Sequence, residues 1–168
     1  MYVIVAGGGK VGFALAQALI AAGHEVLCVE RDHRRCAVIA EDLGSAIFHG
    51  DCCEVKVQEE VGAARADAFI AVTGDDEDNL IICQLARRLS GEKARMIARI
   101  NNPKNANIFR RLGVDQTVSS TDLILSMIEQ DVATGAFVHL LRLDESDLEL
   151  VEIRLSEDSK AVSRTVRD

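Results

Sequence analysis

Near its start the chain reads Val3-Ile4-Val5-Ala6-Gly7-Gly8-Gly9-Lys10-Val11-Gly12, whose four leading apolar residues predict a short buried strand. Gly7, Gly9 and Gly12 have the G-x-G-x-x-G spacing, and residues 13–22 have a helical pattern. The first glycine of this motif permits a tight turn, the second leaves space for a pyrophosphate, and the third lets the helix lie close to the sheet. Amide groups at the helix start then face the anion. The stretch therefore predicts a phosphate-binding strand-turn-helix unit.

An acidic residue, Glu30, ends the second predicted strand, residues 25–29. Its distance from the glycines is close to the roughly 20 residues expected for a ribose-binding acid. A carboxylate there can accept hydrogen bonds from both ribose hydroxyls, and it would repel a 2′-phosphate. Asp32 adds to this repulsion, whereas Arg31 softens it. A solvated acid at a strand end is the simpler interpretation, but the complete unit favours nucleotide binding.

Composition and charge narrow the classes of partner. The 168 residues carry 19 Lys and Arg against 27 Asp and Glu, a net charge of −8. This charge argues against duplex nucleic acid, whose binding requires a cationic surface. No apolar run approaches the roughly 20 residues that span a bilayer, and Met1 leads directly into a strand rather than a signal sequence. We therefore expect no direct membrane insertion.

The five cysteines show neither a C-x-x-C pair nor a histidine at zinc spacing. They lie mostly within apolar patterns, which indicates packing in a reduced protein. We therefore expect a cytoplasmic protein without a resident metal ion. The cysteines are Cys28, Cys36, Cys52, Cys53 and Cys83.

Apolar runs and helical periods alternate over the first part of the chain. The run at residues 66–73 is the most apolar, and it predicts a central strand buried on both faces. Strict alternation predicts an α/β fold, a Rossmann-type doubly wound parallel six-stranded sheet over residues 1 to about 118. The predicted strands are 3–6, 25–29, 45–49, 66–73, 96–100 and 114–118, and the predicted helices are 13–22, 34–43, 55–61, 76–90 and 101–112.

The rest of the chain has a different pattern. Ser120 or Thr121 can cap an extra helix over residues 122–134, whose apolar positions spread wider than one face. Such a helix needs further cover, so we expect an oligomer contact; the alternative is burial within one subunit. Two strands at 137–143 and 148–155 predict the truncated start of a second small domain. The predicted domains are 1–135, which includes the contact helix 121–134, and 136–168.

Six segments carry a more specific signal than the glycines alone: Gly7-Gly8-Gly9-Lys10-Val11-Gly12, Glu30-Arg31-Asp32, Gly50-Asp51, Ala71-Val72-Thr73-Gly74-Asp75-Asp76-Glu77-Asp78-Asn79, Ile97-Ala98-Arg99-Ile100-Asn101 and Gly113-Val114-Asp115. Together they resemble the nucleotide-binding domain of the Trk/Ktr potassium-uptake regulators, also called the RCK or TrkA-N domain. The similarity covers residues 1 to about 135 and is greatest to the Trk-type regulatory subunit. The remaining residues resemble the opening of that family's C-terminal ligand-sensing domain.

This resemblance implies a cytoplasmic regulatory subunit, not an enzyme, that binds NAD⁺, NADH, ATP or ADP and forms a homodimer or a higher homo-oligomer. It also implies a membrane-embedded potassium-translocating subunit as partner, at the inner face of the cell membrane. A nucleotide that prefers one arrangement of the oligomer shifts its population by no more than its differential affinity. The mechanism expected from the resemblance is therefore a binding switch.

Carried over by position, the resemblance assigns roles to residues at the carboxyl ends of the strands, where ligands bind in such sheets. The glycine loop would hold the phosphates, and Glu30 would bind the ribose. Asp51 and Cys52 would lie beside the adenine. Thr73-Gly74 would flank the nucleotide, with Arg99 on the phosphate side. The expected cofactor-binding residues are Gly7, Gly8, Gly9, Lys10, Val11, Gly12, Glu30, Arg31, Asp51, Cys52, Thr73, Gly74 and Arg99.

Two positions refine what the resemblance implies. Lys10 stands where many relatives have Arg, so it keeps a phosphate-seeking charge but lacks the bidentate fork. Ktr-type members place a Glu after the sixth strand, where it helps to hold a divalent ion near ATP. The corresponding position here is Thr121, with Asp122 adjacent. This departure from the Ktr pattern favours NAD(H) over metal-assisted ATP binding and leaves ATP and ADP as alternatives.

The rival class is an NAD-dependent oxidoreductase, or its isolated cofactor domain, because many dehydrogenases share this fold. Such an enzyme needs a substrate site and a proton donor opposite the nicotinamide. Of the four histidines only His49 is near a predicted strand's carboxyl end, and no candidate base is paired with an orienting carboxylate. We therefore expect no catalytic residues.

Two other motifs have simpler interpretations. Cys52-Cys53 could sense redox state, but Asp51 and Glu54 give it an acidic setting, which favours protonated, unreactive thiols. The acids at residues 75–78 lack the ligand alternation and the glycine of a calcium loop. We expect packing for the two cysteines and stabilisation of a helix start for the acids.

Overall fold

The computed structural model describes residues 1–132, 137–143 and 148–153. The chain divides into two compact units, Met1–Ser120 and Thr121–Asp168. Residue 135, the predicted domain boundary, lies outside the described residues, so the division predicted from the sequence stays a prediction.

The first unit contains a sheet of six parallel strands, which confirms the predicted doubly wound fold. The strands are β1 Tyr2–Ala6, β2 Glu25–Glu30, β3 Ile47–His49, β4 Ala68–Ala71, β5 Arg95–Ile100 and β6 Gln116–Ser119. Their order across the sheet is β3-β2-β1-β4-β5-β6. This order reverses between β1 and β4, and a crevice at the carboxyl ends of strands is expected at such a point.

Five α-helices connect these strands: α1 Lys10–Ala21, α2 His33–Leu43, α3 Val55–Glu60, α4 Asp76–Ser90 and α5 Ala106–Arg111. The first begins at Lys10 rather than at residue 13, because Gly9 is the extended N-cap and its carbonyl already accepts a hydrogen bond from the Phe13 amide. The prediction of a helix that begins at residue 101 is wrong for its first turn. Pro103–Asn105 forms a 3₁₀ turn there, and α5 follows it.

Both faces of the sheet are buried. Ile4 and Phe69 are fully buried in an apolar cluster on one face, and Val5 and Cys28 are fully buried in a second cluster on the other. A parallel sheet covered by helices on both sides has central strands that are apolar throughout. This explains why β4 is a continuous apolar run instead of an alternating one.

A sixth helix, α6, spans Ser120–Val132, and two antiparallel strands follow, β7 Phe137–Leu143 and β8 Leu148–Ile153. These elements agree with the helix and strands predicted from the sequence, whose last residues, 133–134 and 154–155, are not among those described. No helix within the described ranges is both long enough and apolar enough to cross a membrane. Large apolar side chains of α6 are 49–66% exposed: Leu123, Ile124, Leu125, Met127 and Ile128.

Candidate functional site

A cavity of about 370 Å³ lies at the carboxyl ends of the parallel strands. The loops after β1, β2, β3 and β4 and the end of β5 all contribute to its lining. The structure brings together there all the residues predicted for the cofactor site except Gly8 and Gly12. The lining residues are Gly7, Gly9, Lys10, Val11, Val29, Glu30, Arg31, Arg35, Gly50, Asp51, Cys52, Cys53, Val72, Thr73, Gly74, Asp78, Ile82 and Arg99.

The glycine loop has the tight geometry that the motif requires. Gly7 has a φ of +106°, a left-handed conformation that favours glycine. A Cβ on this residue would lie 3.2 Å from the Thr73 amide nitrogen, in the loop after β4. The Gly7 amide donates to the Val29 carbonyl oxygen at 2.8 Å. This turn therefore connects β1 to α1 while it packs against the neighbouring strand ends.

Gly9 and Gly12 differ in what surrounds them. A Cβ on Gly9 would have no heavy atom within 4 Å, so this position faces open space within the cavity lining. A Cβ on Gly12 would instead meet the Gly7 carbonyl oxygen and, at 3.1 Å, Val72 Cγ2. The space beside Gly9 is where a pyrophosphate can approach the backbone.

The start of α1 is suited to an anion. Gly9 is its N-cap and offers no side-chain hydrogen bond to the first amides, and no acidic residue lies in the first turn. Unsatisfied amides at a helix start and the positive end of the helix dipole attract negative charge. Lys10, exposed and in the cavity lining, adds a cation at the same place.

Glu30 is buried and holds the glycine loop. Its Oε2 accepts a 2.8 Å hydrogen bond from the Gly8 amide, and its Oε1 accepts one of 2.8 Å from the Asp32 amide. Arg35 Nη1 lies 3.5 Å from Oε2. A Cβ on Gly8 would lie 2.7 Å from Ile39 Cδ1 and 2.9 Å from Oε2, so a larger residue there would have to displace both side chains. A carboxylate oxygen has two lone-pair sites, and Oε1 accepts from the Asp32 amide while Oε2 accepts from both Gly8 and Arg35, so Oε1 retains capacity for a ribose hydroxyl.

Arg31 pairs with two acids from the other side of the cavity. Its Nη1 lies 2.9 Å from Asp78 Oδ2, and its Nη2 lies 3.7 Å from an oxygen of Asp75. Arg31 directly follows β2, Asp75 is the N-cap of α4 and Asp78 lies in its first turn. The ion pair therefore joins the ribose-side loop to the loop after β4. The sequence suggested no partner for Arg31, because 47 residues separate it from Asp78.

The loop after β3 is fixed by a buried amide that the sequence interpretation missed. Gln58, fully buried, donates to the Cys52 carbonyl oxygen at 2.7 Å and to the Ile82 carbonyl oxygen at 3.1 Å. Asp51 Oδ1 accepts a 2.8 Å hydrogen bond from the Cys53 amide. These bonds position the loop on which Asp51 and Cys52 line the cavity.

The two cysteines of this loop are poor nucleophiles. Burial raises the pKa of the Cys52 thiol, and the charge of Asp51 adds to the effect. Burial, together with the charges of Asp51 and Asp78, raises the pKa of Cys53 to about 12. Both thiols are protonated at neutral pH, as expected for cysteines that serve packing.

Asn79 connects the ends of β4 and β5. It is fully buried, its Oδ1 accepts from the Thr73 amide at 2.9 Å and from the Thr73 hydroxyl at 2.8 Å, and its Nδ2 donates to the Arg99 carbonyl oxygen at 2.9 Å. The sequence did offer a signal for this role, because Asn79 is a polar residue directly before the apolar run of α4. The side chain fixes two residues of the cavity lining relative to each other.

Asp76 binds the loop after β5 in a similar way. Its carboxylate accepts hydrogen bonds from the Asn101 amide at 2.6 Å, the Asn102 amide at 3.1 Å and Asn105 Nδ2 at 2.7 Å. Burial acts to raise the pKa of Asp76, but these hydrogen bonds outweigh it and hold the pKa below its ordinary value. The prediction that Asp76 serves the start of α4 missed this second role.

Arg99 brings a further cation to the cavity. Within the described structure its buried Nε has no hydrogen-bond partner, while its backbone carbonyl is held by Asn79. None of the described residues that line the cavity is a histidine, and His49 instead contacts the His33 ring edge-on at 5.2 Å. No group of three or more His, Cys, Asp or Glu in the described part of the chain could hold a metal ion.

Comparisons with known proteins match this chain to one family. The family model of the TrkA-N domain matches residues 3–120. The Trk system potassium uptake protein TrkA homolog of Methanothermobacter thermautotrophicus is 34% identical over 168 residues, which cover 100% of this chain and 76% of that protein. The NAD(P)-binding domain of an exopolyphosphatase-related protein from Archaeoglobus fulgidus is 26% identical, with a TM-score of 0.66, over 77% of this chain and 96% of that chain.

Two structures of the protein GsuK share the fold. The GsuK channel bound to NAD has a TM-score of 0.75 and 23% identity, over 83% of this chain and 25% of that chain. GsuK bound to ADP has a TM-score of 0.68 and 22% identity, over 77% of this chain and 33% of that chain. The match to the family model and the identity to the archaeal relative together establish the classification. The chain belongs to the TrkA-N family.

Proposed function

We propose that this chain is a cytoplasmic regulatory subunit of a potassium uptake system and that it binds NAD⁺ or NADH in the cavity beside the glycine loop. The observation that carries the proposal is the open space at Gly9, between the uncapped start of α1 and the buried Glu30. An anion-binding helix start and a ribose-binding acid that line one crevice suit an adenosine pyrophosphate.

The cavity offers a distinct partner to each part of such a ligand. The pyrophosphate would meet the first amides of α1, with Lys10 and Arg99 as cations. The ribose would lie at Glu30, and the adenine beside Asp51 and Cys52 of the loop after β3. ADP or ATP presents the same adenosine half, so we keep these nucleotides as weaker ligands. GsuK, which shares the fold, has been observed with both NAD and ADP.

The regulatory part of the proposal rests on the relatives and on α6. The archaeal relative is named a potassium uptake protein, and we propose that a membrane-embedded potassium-translocating subunit is the partner of this chain. Apolar side chains that are half or more exposed, such as Met127 at 66%, suit α6 for a contact between copies. A nucleotide that prefers one arrangement of these copies would change the state of the partner.

A role as an oxidoreductase is the alternative, and it has less support. A dehydrogenase site needs a proton donor beside the nicotinamide. The described lining residues of the cavity include no histidine, and the lysine among them, Lys10, lies at the anion-binding start of α1. We propose that binding, rather than turnover, is the activity of the chain.

Isothermal titration of the protein with NAD⁺, NADH, ATP and ADP tests nucleotide binding. We expect NAD⁺ or NADH to bind most tightly and Glu30→Ala to lose most of the affinity. Glu25→Ala is the matched control, because Glu25 lies exposed at the opposite end of β2, and this variant should bind as the parent does. No heat from any of the four nucleotides, or equal affinities of the two variants, contradicts the proposal.

Light scattering at tens of micromolar tests the contact helix. The parent protein should be at least a dimer, and Leu123→Glu with Ile124→Glu should dissociate it. Ile20→Glu, a change of an exposed apolar residue on α1, is the control and should leave the oligomer intact. A monomeric parent protein contradicts the proposed contact.

A further inference from the structure

We infer that Asp78 is a specificity-determining residue: by keeping Arg31 engaged, it makes the site select nucleotides whose adenosine ribose has a free 2′-hydroxyl. The inference rests on the function proposed above and narrows the ligand to NAD(H) over NADP(H). It concerns Arg31 and Arg35, two arginines of the cavity lining that follow β2, and the acids that hold them.

A 2′-phosphate is bound in proteins by an arginine close to the end of the second strand. Arg31 is the residue that follows β2, and it lines the cavity. By sequence alone it is the natural partner for such a phosphate. In the structure, however, its guanidinium is directed to Asp78 at 2.9 Å and to Asp75 at 3.7 Å. The cation that would accept a 2′-phosphate is thus already neutralised.

The second cation is compensated as well. Arg35 Nη1 lies 3.5 Å from Glu30 Oε2, while the Arg35 amide donates to the side chain of Asp32, the N-cap of α2, at 2.8 Å. Three acids, Glu30, Asp75 and Asp78, therefore lie within 4 Å of the two guanidinium groups of Arg31 and Arg35, an excess of one negative charge. A phosphate dianion entering this region meets net repulsion, whereas two neutral hydroxyls do not.

Among these acids, Asp78 is the one whose loss should most directly free Arg31 for a 2′-phosphate. It makes the shorter contact to Arg31, and its side chain is 26% exposed compared with 59% for Asp75, so its charge is less screened by water. Glu30 cannot be changed without disturbing Gly8, whose amide it binds. Asp78 makes no such bond to the glycine loop, and an asparagine has the same shape.

The test is the ratio of the dissociation constants for NADP⁺ and NAD⁺, measured by titration calorimetry at one ionic strength. We expect the parent protein to prefer NAD⁺ and Asp78→Asn to lower the ratio by about five- to tenfold, the scale of one charge-assisted hydrogen bond to phosphate. The ratio is used because Asp78 and Arg31 both line the cavity, so a change of Asp78 that weakens both dinucleotides equally cancels in it.

Two further variants separate charge from structure. Glu77→Gln removes one negative charge from the same turn of α4, where Glu77 is exposed and outside the cavity lining, so it should leave the ratio unchanged. Arg31→Gln combined with Asp78→Asn should abolish the gain. The inference is overturned if Asp78→Asn gives the ratio of Glu77→Gln, or if the gain survives without Arg31. A folded parent protein that binds neither dinucleotide overturns the proposed function itself.

Discussion

The carbonyl oxygen of Gly7 lies so close to Gly12 that a Cβ added to Gly12 would stand 1.8 Å from it. The turn after β1 and the first turn of α1 are therefore in contact backbone to backbone. A backbone oxygen cannot rotate away as the end of a side chain can. Gly12 is thus required chiefly by the turn that precedes it, and only secondarily by the sheet.

We predict from this contact that Gly12→Ala lowers the free energy of unfolding by about 3 kcal/mol, the upper part of the range for overpacked sites. Gly9→Ala is the matched control: its Cβ meets no atom within 4 Å and its φ is −66°, so the loss should be under about 1 kcal/mol. Urea unfolding followed by circular dichroism measures both. Equal stabilities would refute the geometric reason given for Gly12.

The same Gly9→Ala variant should separate binding from folding. The added methyl group occupies the space that a pyrophosphate needs, so we expect at least a tenfold loss of affinity for NAD⁺ or NADH, about 1.4 kcal/mol. Calorimetric titration measures this loss, and the circular dichroism spectrum should be that of the parent protein. A folded variant with unchanged affinity would show that the phosphates bind elsewhere.

The buried amide of Asn79 is expected to be a large contributor to stability. Asn79→Ala leaves the Thr73 amide and the Arg99 carbonyl without their partner, and we predict a loss of about 2–4 kcal/mol in the free energy of unfolding. Asn102→Ala is the control, because its side chain is exposed and accepts a hydrogen bond from the Lys104 amide at 3.2 Å, and it should cost under about 1 kcal/mol. Similar losses in the two variants would contradict the network.

The carboxylate of Asp76 should make stability depend on pH. Its pKa in the folded state is below the ordinary 3.8. Its contribution is therefore present above pH 3.8 and is lost as the pH falls through the lower folded value. At neutral pH Asp76→Asn should be about 2 kcal/mol less stable than the parent protein. Urea unfolding at a series of pH values should show this difference shrinking below pH 3.8, and a difference independent of pH would contradict the prediction.

The sheet and the position of the cavity followed from the sequence because both depend on local signals. The glycine spacing and the apolar runs determine each element within a few residues, and parallel strands place their carboxyl ends on one edge. The partners of Glu30 and Arg31 could not be predicted in this way. Glu30 lies 22 residues from Gly8, and Arg31 lies 47 residues from Asp78.

The hydrogen bonds of the buried side-chain amides could not be predicted from the sequence either, because their partners are distant in the chain. Asn79 is 20 residues from Arg99, and Gln58 is 24 residues from Ile82. Such contacts depend on how helices pack on the sheet, which the hydrophobic pattern leaves open. The error in the predicted start of α1 has a different cause. Gly12 lies inside α1 although glycine is a poor helix former, because the close approach of the turn outweighs its propensity.

Glu30 serves two purposes with one carboxylate, since it fastens the glycine loop and also borders the space proposed for the sugar. A substitution at this position would reshape the phosphate cradle together with any change in ligand preference. Nucleotide preference is therefore easier to change at neighbouring residues such as Asp78, for which the structure shows no bond to the glycine loop.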